Sequence, residues 1–481
     1  MGIPKQRLAK EAIFQHLEAF RAQDLDWRSG RMFGYVFDPG REVMEVAKEA
    51  YAAFLSENGL DFTAFPSLLR LENELVAMAA GHLGGGPKTV GNFTSGGTES
   101  ILLAVKAARD FCRAKRPEIR EPEMILPVTA HAAFHKAAHY LGIRVVQVPV
   151  NGENFRADVD RVRQAVSPNT ILLVGSAPSY AHGVVDPIRE LGELAREKGL
   201  LLHSDACMGG FMLPYFRRLG HPVPDFDLSV PGVTSLSVDL HKYAYTPKGA
   251  SLVLYRDAGL RKYQVFACSR WAGYSVVNNA VQSSKPGGPM AAAWAVLHFV
   301  GDEGYLEIAR RKLESTHRIL EGIERMKDLR ITTRPDMCLL AFTSDTVDVF
   351  RVVDEMARRG WYIQPAFAYD NSPAHVHLSI NASNVGREDA FLEDLAQAVE
   401  AAKGEDTPEL PAGLEEGLAG LDPGALDDEG LSRILEAAGL RGQGLPREMA
   451  GINRTLNALP AELRERLLTA FVNDVFRPEE G

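Results

Sequence analysis

Short apolar runs recur along residues 85–260, and helical stretches lie between several of them. Six runs have the length and the Val, Ile and Leu content of buried strands. They are Met124–Val128, Arg144–Val150, Thr170–Val174, Leu200–His203, Ser235–Val238 and Ser251–Leu254. Between them, Glu99–Lys115 and Pro187–Lys198 place apolar residues at helical spacing. This alternation predicts an α/β fold on a mostly parallel sheet with helices on both faces.

Outside residues 85–260, the hydrophobic periodicity and the composition of the sequence change along the chain and indicate further segments. Apolar residues at helical spacing recur in Glu11–Arg21 and Glu42–Asn58. A long helical stretch follows Pro289, and strand-like runs such as C-L-L-A-F-T come after it. A segment rich in Gly, Pro and acidic residues begins at Lys403 and has the composition of a linker. We therefore expect four parts, which are an N-terminal helical segment (1–60), a large α/β domain (61–300), a small α+β domain (301–402) and a linker with a helical tail (403–481).

Charge and cysteine content narrow the function classes. The formal net charge of -10 argues against a nucleic-acid partner, because such proteins usually present a basic face. The chain has no apolar run near 18 residues, and its first residues lack the apolar core of a signal peptide. Four widely spaced cysteines fit neither a disulfide framework nor a zinc site. We expect a cytoplasmic protein with no membrane anchor and no metal.

One Gly-rich segment has the features of a phosphate-binding loop. T-S-G-G-T-E-S, from Thr94 to Ser100, precedes a helical stretch. Backbone N–H groups at a helix start bind anions, and the hydroxyls of Thr98 and Ser100 add donors. The alternative is a Gly-rich turn with a helix N-cap.

Two ionisable residues follow apolar strands. Asp205 ends the strand in L-L-L-H-S-D, where it is either a helix N-cap or the partner of a cationic ring nitrogen. Lys242 lies between two strand-like runs beside Tyr243 and Tyr245, where desolvation should lower its pKa and make the amine nucleophilic. The alternative for Lys242 is a lysine that extends from a turn into solvent. With the phosphate loop, these residues provide what pyridoxal phosphate requires.

Six segments, in the same order along the chain, resemble the group II decarboxylase-like branch of the fold-type I pyridoxal-phosphate enzymes. Within that branch the resemblance is nearest to the sphingosine-1-phosphate lyases. The segments are S-G-G-T-E-S-I-L-L-A-V-K, T-A-H-A-A-F-H-K-A-A-H-Y, H-G-V-V-D-P, H-S-D-A-C-M-G-G-F, S-V-D-L-H-K-Y-A-Y-T-P-K-G and S-K-P-G-G-P. The resemblance implies a seven-stranded-type, mostly parallel sheet and a smaller C-terminal α+β domain.

The resemblance also assigns roles around the cofactor. Lys242 would carry pyridoxal phosphate covalently, Asp205 would pair with its ring nitrogen, and His131 would stack on its ring. The cofactor phosphate would be held by Gly97 and Thr98, with His241 beside them.

A second group of roles concerns the substrate and the partner subunit. The resemblance implies an obligate homodimer with shared active sites, in which Gly287 and Gly288 approach the partner's cofactor phosphate. Tyr180 would take part in catalysis, His182 would line the cavity, and Lys248 would bind a substrate phosphate.

Two positions depart from the family pattern. Phe37 lies where the family has a tyrosine, and Asp61 lies where it has a histidine. Both family side chains help to hold the substrate phosphate across the dimer interface. The chain therefore loses a hydroxyl at one position and places an anion, which repels phosphate, at the other.

Three functions remain open from the sequence. The first is retro-aldol cleavage of a (phosphorylated) 2-amino-3-hydroxy compound to an aldehyde and an amine. The second is decarboxylation of an amino acid, which usually needs an Arg to bind the α-carboxylate; the comparable strand here, His375 to Asn381, has none. The third is a homologue without activity, which the joint presence of Lys242, Asp205 and His131 disfavours.

Overall fold

A computed structural model describes residues 2–404 and 448–477 and confirms the predicted α/β fold. Seven strands form the central sheet in the order β1-β7-β6-β5-β4-β2-β3, and only β7 runs against the others. Their bounds are Val90–Thr94 (β1), Glu123–Pro127 (β2), Arg144–Val148 (β3), Thr170–Ser176 (β4), Leu201–Asp205 (β5), Ser235–Asp239 (β6) and Ser251–Tyr255 (β7).

Helices cover both faces of this sheet, so its central strands are buried along most of their length. The helices before and between the strands are Lys10–Arg21 (α1), Arg41–Ala53 (α2), Pro66–His82 (α3), Gly97–Lys115 (α4), Ala133–Leu141 (α5), Val159–Ala165 (α6), Ile188–Lys198 (α7), Leu213–Arg218 (α8) and Ala258–Arg261 (α9). A short hairpin of Phe266–Cys268 (β8) and Val276–Asn278 (β9) follows. None of the described helices is long and apolar enough to cross a membrane.

The predicted small α+β sheet is also present, and it has four antiparallel strands in the order β10-β11-β13-β12. A long helix, kinked at Gly301, leads into it. The bounds are Gly287–Glu324 (α10), Arg330–Ile331 (β10), Leu339–Thr343 (β11), Val349–Arg358 (α11), Gln364–Ala366 (β12), His375–Ser379 (β13) and Glu388–Gly404 (α12). Side chains of β11 join the main hydrophobic core, so the two sheets share one apolar interior.

The N-terminal residues connect the two sheets. Helix α2 packs on α10, where the side chain of Tyr51 occupies the space beside Gly288. The segment after α1 pairs with the small domain, because the backbone of Tyr362 hydrogen-bonds Arg31 and Phe33. Helix α1 has no buried residue.

Two helices of the predicted C-terminal tail are described, Ala450–Ala458 (α13) and Ala461–Val475 (α14). They pack on Phe367 of the small domain, over which the Arg464 guanidinium lies 4.9 Å from the ring centroid. The predicted linker and the start of the tail, residues 405–447, lie outside the described residues.

Candidate active site

A cavity of about 420 Å³ opens where β1, β4, β5 and β6 end. Ligands of open α/β sheets bind at this carboxyl edge because the loops there face one crevice. The cavity is lined by Ser95, Gly96, Gly97, Thr98, Glu99, Ile101, His131, Ser176, Pro178, Tyr180, Asp205, Cys207, Met208, Asp239, His241 and Lys242. The structure therefore brings together all three segments that sequence analysis singled out.

The Gly-rich loop joins β1 to the start of α4 and forms one wall. Glu99 stabilises the loop, since one carboxylate oxygen accepts a hydrogen bond from Ser95 N (2.6 Å) and the other from Val281 N (2.7 Å). At Gly97, a Cβ atom would lie 2.8 Å from Cys207 Sγ and 2.9 Å from both carboxylate oxygens of Asp239. Only glycine fits there, and the free backbone N–H groups at this helix start favour an anion.

Lys242 lies at the cavity floor and forms an ion pair with Asp239, with 2.9 Å between Nζ and Oδ2. Burial alone would lower the pKa of Lys242, but the Asp239 carboxylate outweighs burial and raises it. The predicted lowering of this pKa is therefore wrong for the free lysine, because the prediction considered Tyr243 and Tyr245 but not Asp239. Both tyrosine side chains are fully buried in the core.

The Asp239 carboxylate lies beside two basic residues, Lys242 and His241. Burial would raise its pKa, but the positive charge of Lys242 outweighs burial and lowers it. His241 lies 3.6 Å from the same carboxylate through Nε2 and accepts a hydrogen bond at Nδ1 from Ala250 N. Burial lowers the pKa of His241, which favours the neutral ring.

Asp205 and His131 form the opposite part of the cavity. Asp205 ends β5, and its Oδ1 accepts hydrogen bonds from Cys207 N (3.1 Å) and Ser237 Oγ (3.2 Å). His131 precedes α5, and its Nδ1 accepts a hydrogen bond from Ala133 N (3.1 Å). Burial in the cleft lowers the pKa of His131, so a neutral ring with its proton on Nε2 faces the cavity.

Two residues of S-Y-A-H-G have different positions. Tyr180 lines the cavity, stacks on His377 with 4.1 Å between ring centroids, and donates a hydrogen bond to Gln364 Oε1. His182 instead points into the interior, where Thr332 and Ser372 bind its two ring nitrogens. Burial lowers the pKa of His182 to about 3. His182 therefore does not line the cavity of the single chain, and its substrate-binding role stays a prediction.

The other three predicted substrate-binding residues also lie outside the cavity lining; they are Lys248, Phe37 and Asp61. Lys248 is exposed beside His241, and its Nζ lies 5.0 Å from the centroid of the Phe37 ring. Phe37 therefore contacts a lysine of its own chain. Asp61 is exposed and accepts hydrogen bonds from Thr63 and Ala64, which lower its pKa.

Gly287 and Gly288 begin α10 and do not line the cavity of their own chain. A Cβ at Gly287 would crowd Leu68 and Phe54, and one at Gly288 would crowd Tyr51. Close packing on α2 is thus one reason for glycine at both positions. Their approach to a partner's phosphate stays a prediction.

Sequence reasoning missed several lining residues, above all Asp239, Ser176 and Glu99. Asp239 had a signal, because it ends a strand as Asp205 does and precedes Lys242 by three residues. The signal of Glu99 was its place in the first turn of a helix. Ser176 lies on a fully buried strand and gave no sequence signal.

The lining fits pyridoxal phosphate. A Gly-rich helix start, an amine, a carboxylate and an imidazole surround a cavity large enough for one small ligand. Two buried atoms in this lining, Asp239 Oδ1 and Ser176 Oγ, have no hydrogen-bond partner among the described residues. Buried polar atoms usually have partners, so these two indicate polar groups of a ligand. The fold and the lining together define a fold-type I pyridoxal-phosphate enzyme.

Comparison with known proteins places the chain in a family. Residues 3–345 match the pyridoxal-dependent decarboxylase conserved domain, and residues 412–474 match a C-terminal putative HTH domain of pyridoxal-dependent enzymes. The sphingosine-1-phosphate lyase of Arabidopsis thaliana is 41% identical over 84% of this chain and 75% of its own length. A probable L-aspartate decarboxylase of Pyrococcus furiosus is 32% identical over 78% of this chain and 98% of its own.

A solved structure agrees with these matches. The sphingosine-1-phosphate lyase of Burkholderia pseudomallei superposes with a TM-score of 0.80 at 37% identity, covering 84% of this chain and 93% of that one. The chain belongs to the pyridoxal-dependent decarboxylase family. It is a pyridoxal-phosphate-dependent carbon–carbon lyase that acts on a small molecule, which confirms the predicted cofactor and enzyme class.

Proposed function

We propose that the chain cleaves the C2–C3 bond of a 2-amino-3-hydroxy compound by a retro-aldol reaction. The long-chain phosphorylated amino alcohol named in the relatives, sphingosine-1-phosphate, is the first substrate to test. The observation that carries this proposal is the cavity lining, which combines Lys242, Asp205 and the Gly-rich loop and has no Arg among its described residues. An amino alcohol has no carboxylate for an Arg to bind, whereas an amino acid does.

Each cavity residue has a role that follows from its environment. Pyridoxal phosphate, when bound, supplies the aldehyde carbon and the electron-accepting ring. Lys242 would carry it, and Asp239 would hold the free amine as an ammonium whenever the substrate has displaced it. Asp205 would hold the proton at the ring nitrogen. Burial raises the pKa of Tyr180, so its phenol would remain protonated. Because its hydrogen is donated to Gln364, its oxygen would accept a hydrogen bond from a substrate hydroxyl.

Strand β13 of the small domain, which contacts the cavity residue Tyr180 through His377, supports the lyase. Decarboxylases that resemble this chain carry an Arg in a C-terminal L-R-I strand. In β13 the corresponding residues are L-S-I, and the Ser379 hydroxyl lies 2.8 Å from His377 Nε2. His377 in turn stacks on Tyr180. Neutral side chains therefore take the place of the guanidinium.

Amino-acid decarboxylation is the second candidate function. The Pyrococcus furiosus relative, whose name is that of a decarboxylase, is matched over 98% of its length. An Arg outside the cavity lining, such as Arg270 or Arg387, could serve as the carboxylate anchor in this case.

Mass spectrometry of the reaction products distinguishes the two functions. The holoenzyme is incubated with sphingosine-1-phosphate and, separately, with a panel of amino acids that includes aspartate. We expect a long-chain aldehyde and a phosphorylated two-carbon amine from the first compound, and no CO₂ from the others. Release of CO₂ without any aldehyde would establish the decarboxylase instead. Lys242→Ala is the control, because it should abolish either reaction.

We also propose an obligate homodimer. Helix α1 exposes Phe14, Leu17 and Phe20, and the β8–β9 hairpin exposes Phe266 and Trp271. Large apolar side chains clustered on exposed elements are typical of surfaces that another chain covers. A second copy is the proposed partner, because Gly287 and Gly288 would complete the partner's phosphate site.

Location, charge and domain boundaries complete the proposal. The four cysteines are free, which supports a reducing, cytoplasmic compartment. The putative HTH segment contains eleven acidic and six basic residues, a balance that argues against contact with nucleic-acid phosphates. We propose the domain division 1–60, 61–300, 301–402 and 403–481 on the positions of the two sheets.

A further inference from the structure

Tyr180 follows β4 of the large domain, but the small domain holds its side chain. The phenol donates a hydrogen bond to Gln364 Oε1, and the ring stacks on that of His377 with 4.1 Å between centroids and 25° between planes. Neither Gln364 nor His377 is among the described residues that line the cavity. Both are therefore placed to act on the cavity through Tyr180 rather than by contact with a ligand.

The two contacts come from one cross-strand pair. Gln364 of β12 lies directly opposite His377 of β13 in the antiparallel register, so the two side chains share one face of the small sheet. Gly34 packs closely on the same amide, because a Cβ there would lie 3.0 Å from Gln364 Oε1 and 3.2 Å from its Cδ. The Gln364 amide is thus confined between a backbone and the Tyr180 phenol.

His377 supports the Tyr180 ring as a neutral group. It is buried, and burial lowers its pKa to about 3, an effect that the neighbouring His375 increases. Its Nε2 is hydrogen-bonded to Ser379 Oγ at 2.8 Å, which fixes the ring plane. The stacked imidazole therefore orients the phenol, and the hydrogen of the phenol is left to Gln364.

The hydrogen bond to Gln364 decides what the Tyr180 oxygen can do in the cavity. A phenol has one hydrogen to donate and lone pairs that accept. Because Gln364 Oε1 takes the hydrogen, the Tyr180 oxygen can only accept from a ligand. A substrate hydroxyl can donate to it, whereas an ionised carboxylate has acceptors alone and cannot.

We infer that Gln364 is a positioning residue that, with His377, makes Tyr180 selective for substrates with a hydroxyl at C3. This inference rests on the proposed lyase function and deepens it, because retro-aldol cleavage requires that hydroxyl. The small domain thereby determines the specificity of a cavity whose described lining comes from the large domain.

A double-mutant cycle tests whether Gln364 acts through Tyr180. The value of kcat/KM for sphingosine-1-phosphate is measured on four holoenzymes, which are the wild type, Gln364→Met, Tyr180→Phe and the double variant. Gln364→Met removes the acceptor and should lower kcat/KM roughly tenfold, the net effect of one well-placed hydrogen bond. In the Tyr180→Phe background the same change should cost less than about twofold. Gln364→Glu, which keeps an oxygen acceptor, should recover most of the loss.

A second measurement needs no turnover. The 3-deoxy analogue of sphingosine-1-phosphate lacks the C3 hydroxyl, so its C2–C3 bond cannot be cleaved by this reaction. Its Kd, from titration of the cofactor absorbance, should agree within about twofold between the wild type and Gln364→Met. A purely structural role of Gln364 would weaken binding of the analogue as well.

Gln147→Met is the matched control. Gln147 Oε1 accepts a hydrogen bond from the Tyr369 phenol at 2.9 Å, and neither residue is among the described lining of the cavity. This variant loses the same kind of hydrogen bond and should keep the wild-type kcat/KM.

The outcomes separate the inference from the proposed function. Full activity in Gln364→Met, an equal loss in both Tyr180 backgrounds, or weaker binding of the 3-deoxy analogue would each overturn the inference alone. A wild type that forms no aldehyde from any 2-amino-3-hydroxy compound would overturn the proposed function, and the inference with it.

Discussion

Lys242 in the cavity and Lys312 in the core differ in their partners. Lys242 has the Asp239 carboxylate, whereas the Lys312 ammonium lies 3.6 Å from the centroid of the Tyr243 ring with no oxygen acceptor among the described residues. Burial lowers the pKa of Lys312 to about 8, an effect that the Cys338 thiol partly opposes. A charged amine in this position costs stability, because the ring replaces only part of its lost hydration.

Lys312→Met should therefore stabilise the fold at neutral pH, by on the order of 1–3 kcal/mol. In the wild type the unfolded lysine, with a pKa near roughly 10.4, binds its proton more tightly than the folded one. Wild-type stability should accordingly rise between pH 8 and about 10, and the advantage of the variant should shrink there. Urea unfolding at pH 7 and pH 9.5 measures both effects. Lys88→Met, at an exposed lysine, is the control, and a variant advantage that stays constant with pH would contradict the assignment.

Asp205→Asn should leave the cofactor bound but lower turnover by more than about a hundredfold, because a neutral amide cannot hold the ring-nitrogen proton. The cofactor-to-protein ratio and kcat are measured on the same preparation. Asp160→Asn, in the first turn of α6, is the control. Turnover near that of the wild type in Asp205→Asn would refute the role of Asp205.

At the scale of elements, a buried ion pair connects residues 264–286, here called the strap, to helix α3. Lys285 Nζ lies 2.8 and 2.9 Å from the two carboxylate oxygens of Glu72 on α3. One of these oxygens also accepts hydrogen bonds from Phe93 N and Asn92 Nδ2. The pair thus joins the strap, α3 and the strand that leads into the Gly-rich loop.

Lys285→Met should destabilise the protein by about 3–5 kcal/mol, because it leaves the Glu72 carboxylate buried without a cation. Adding Glu72→Gln should recover part of the loss, since the amide oxygen can still accept from Phe93 N. Urea unfolding of the two single variants and the double variant measures this coupling. Strictly additive losses would show that the pair contributes nothing beyond its separate side chains.

The sequence predicted the elements better than their contacts. All six strand-like runs are strands in the sheet, because their apolar content reflects burial on both faces. Helix α3 and strand β1 were missed, although α3 places Leu68, Leu75 and Val76 in the core. Asp205 and Lys242 could be predicted from their places at strand ends. The Lys242–Asp239 pair and the inward direction of His182 depend on tertiary packing, which spacing alone does not encode.

At the scale of the whole molecule, the exposed apolar face of α1 should be buried against a second copy. Leu17→Glu combined with Phe20→Glu should convert the dimer to a monomer and weaken cofactor binding, because the shared phosphate site would lose its partner glycines. Light scattering and cofactor titration measure the two effects. Gln15→Glu with Ala19→Glu adds the same charge on the other face of α1 as a control. A dimer that persists in the first variant would place the interface elsewhere.

The central claim is that one lysine, Lys242, carries the cofactor in the cavity formed by Asp239, Asp205 and His131. Borohydride reduction of the holoenzyme followed by peptide mapping tests it directly, because the reduced link survives digestion and marks a single residue. Lys248 and Lys312 are the informative alternatives, since the pKa of each is lowered to about 8 and each is therefore a better free nucleophile than Lys242. The account predicts a pyridoxyl group on the peptide that contains Lys242 and on no other. A pyridoxyl group on Lys248 or Lys312, with Lys242 unmodified, would contradict it.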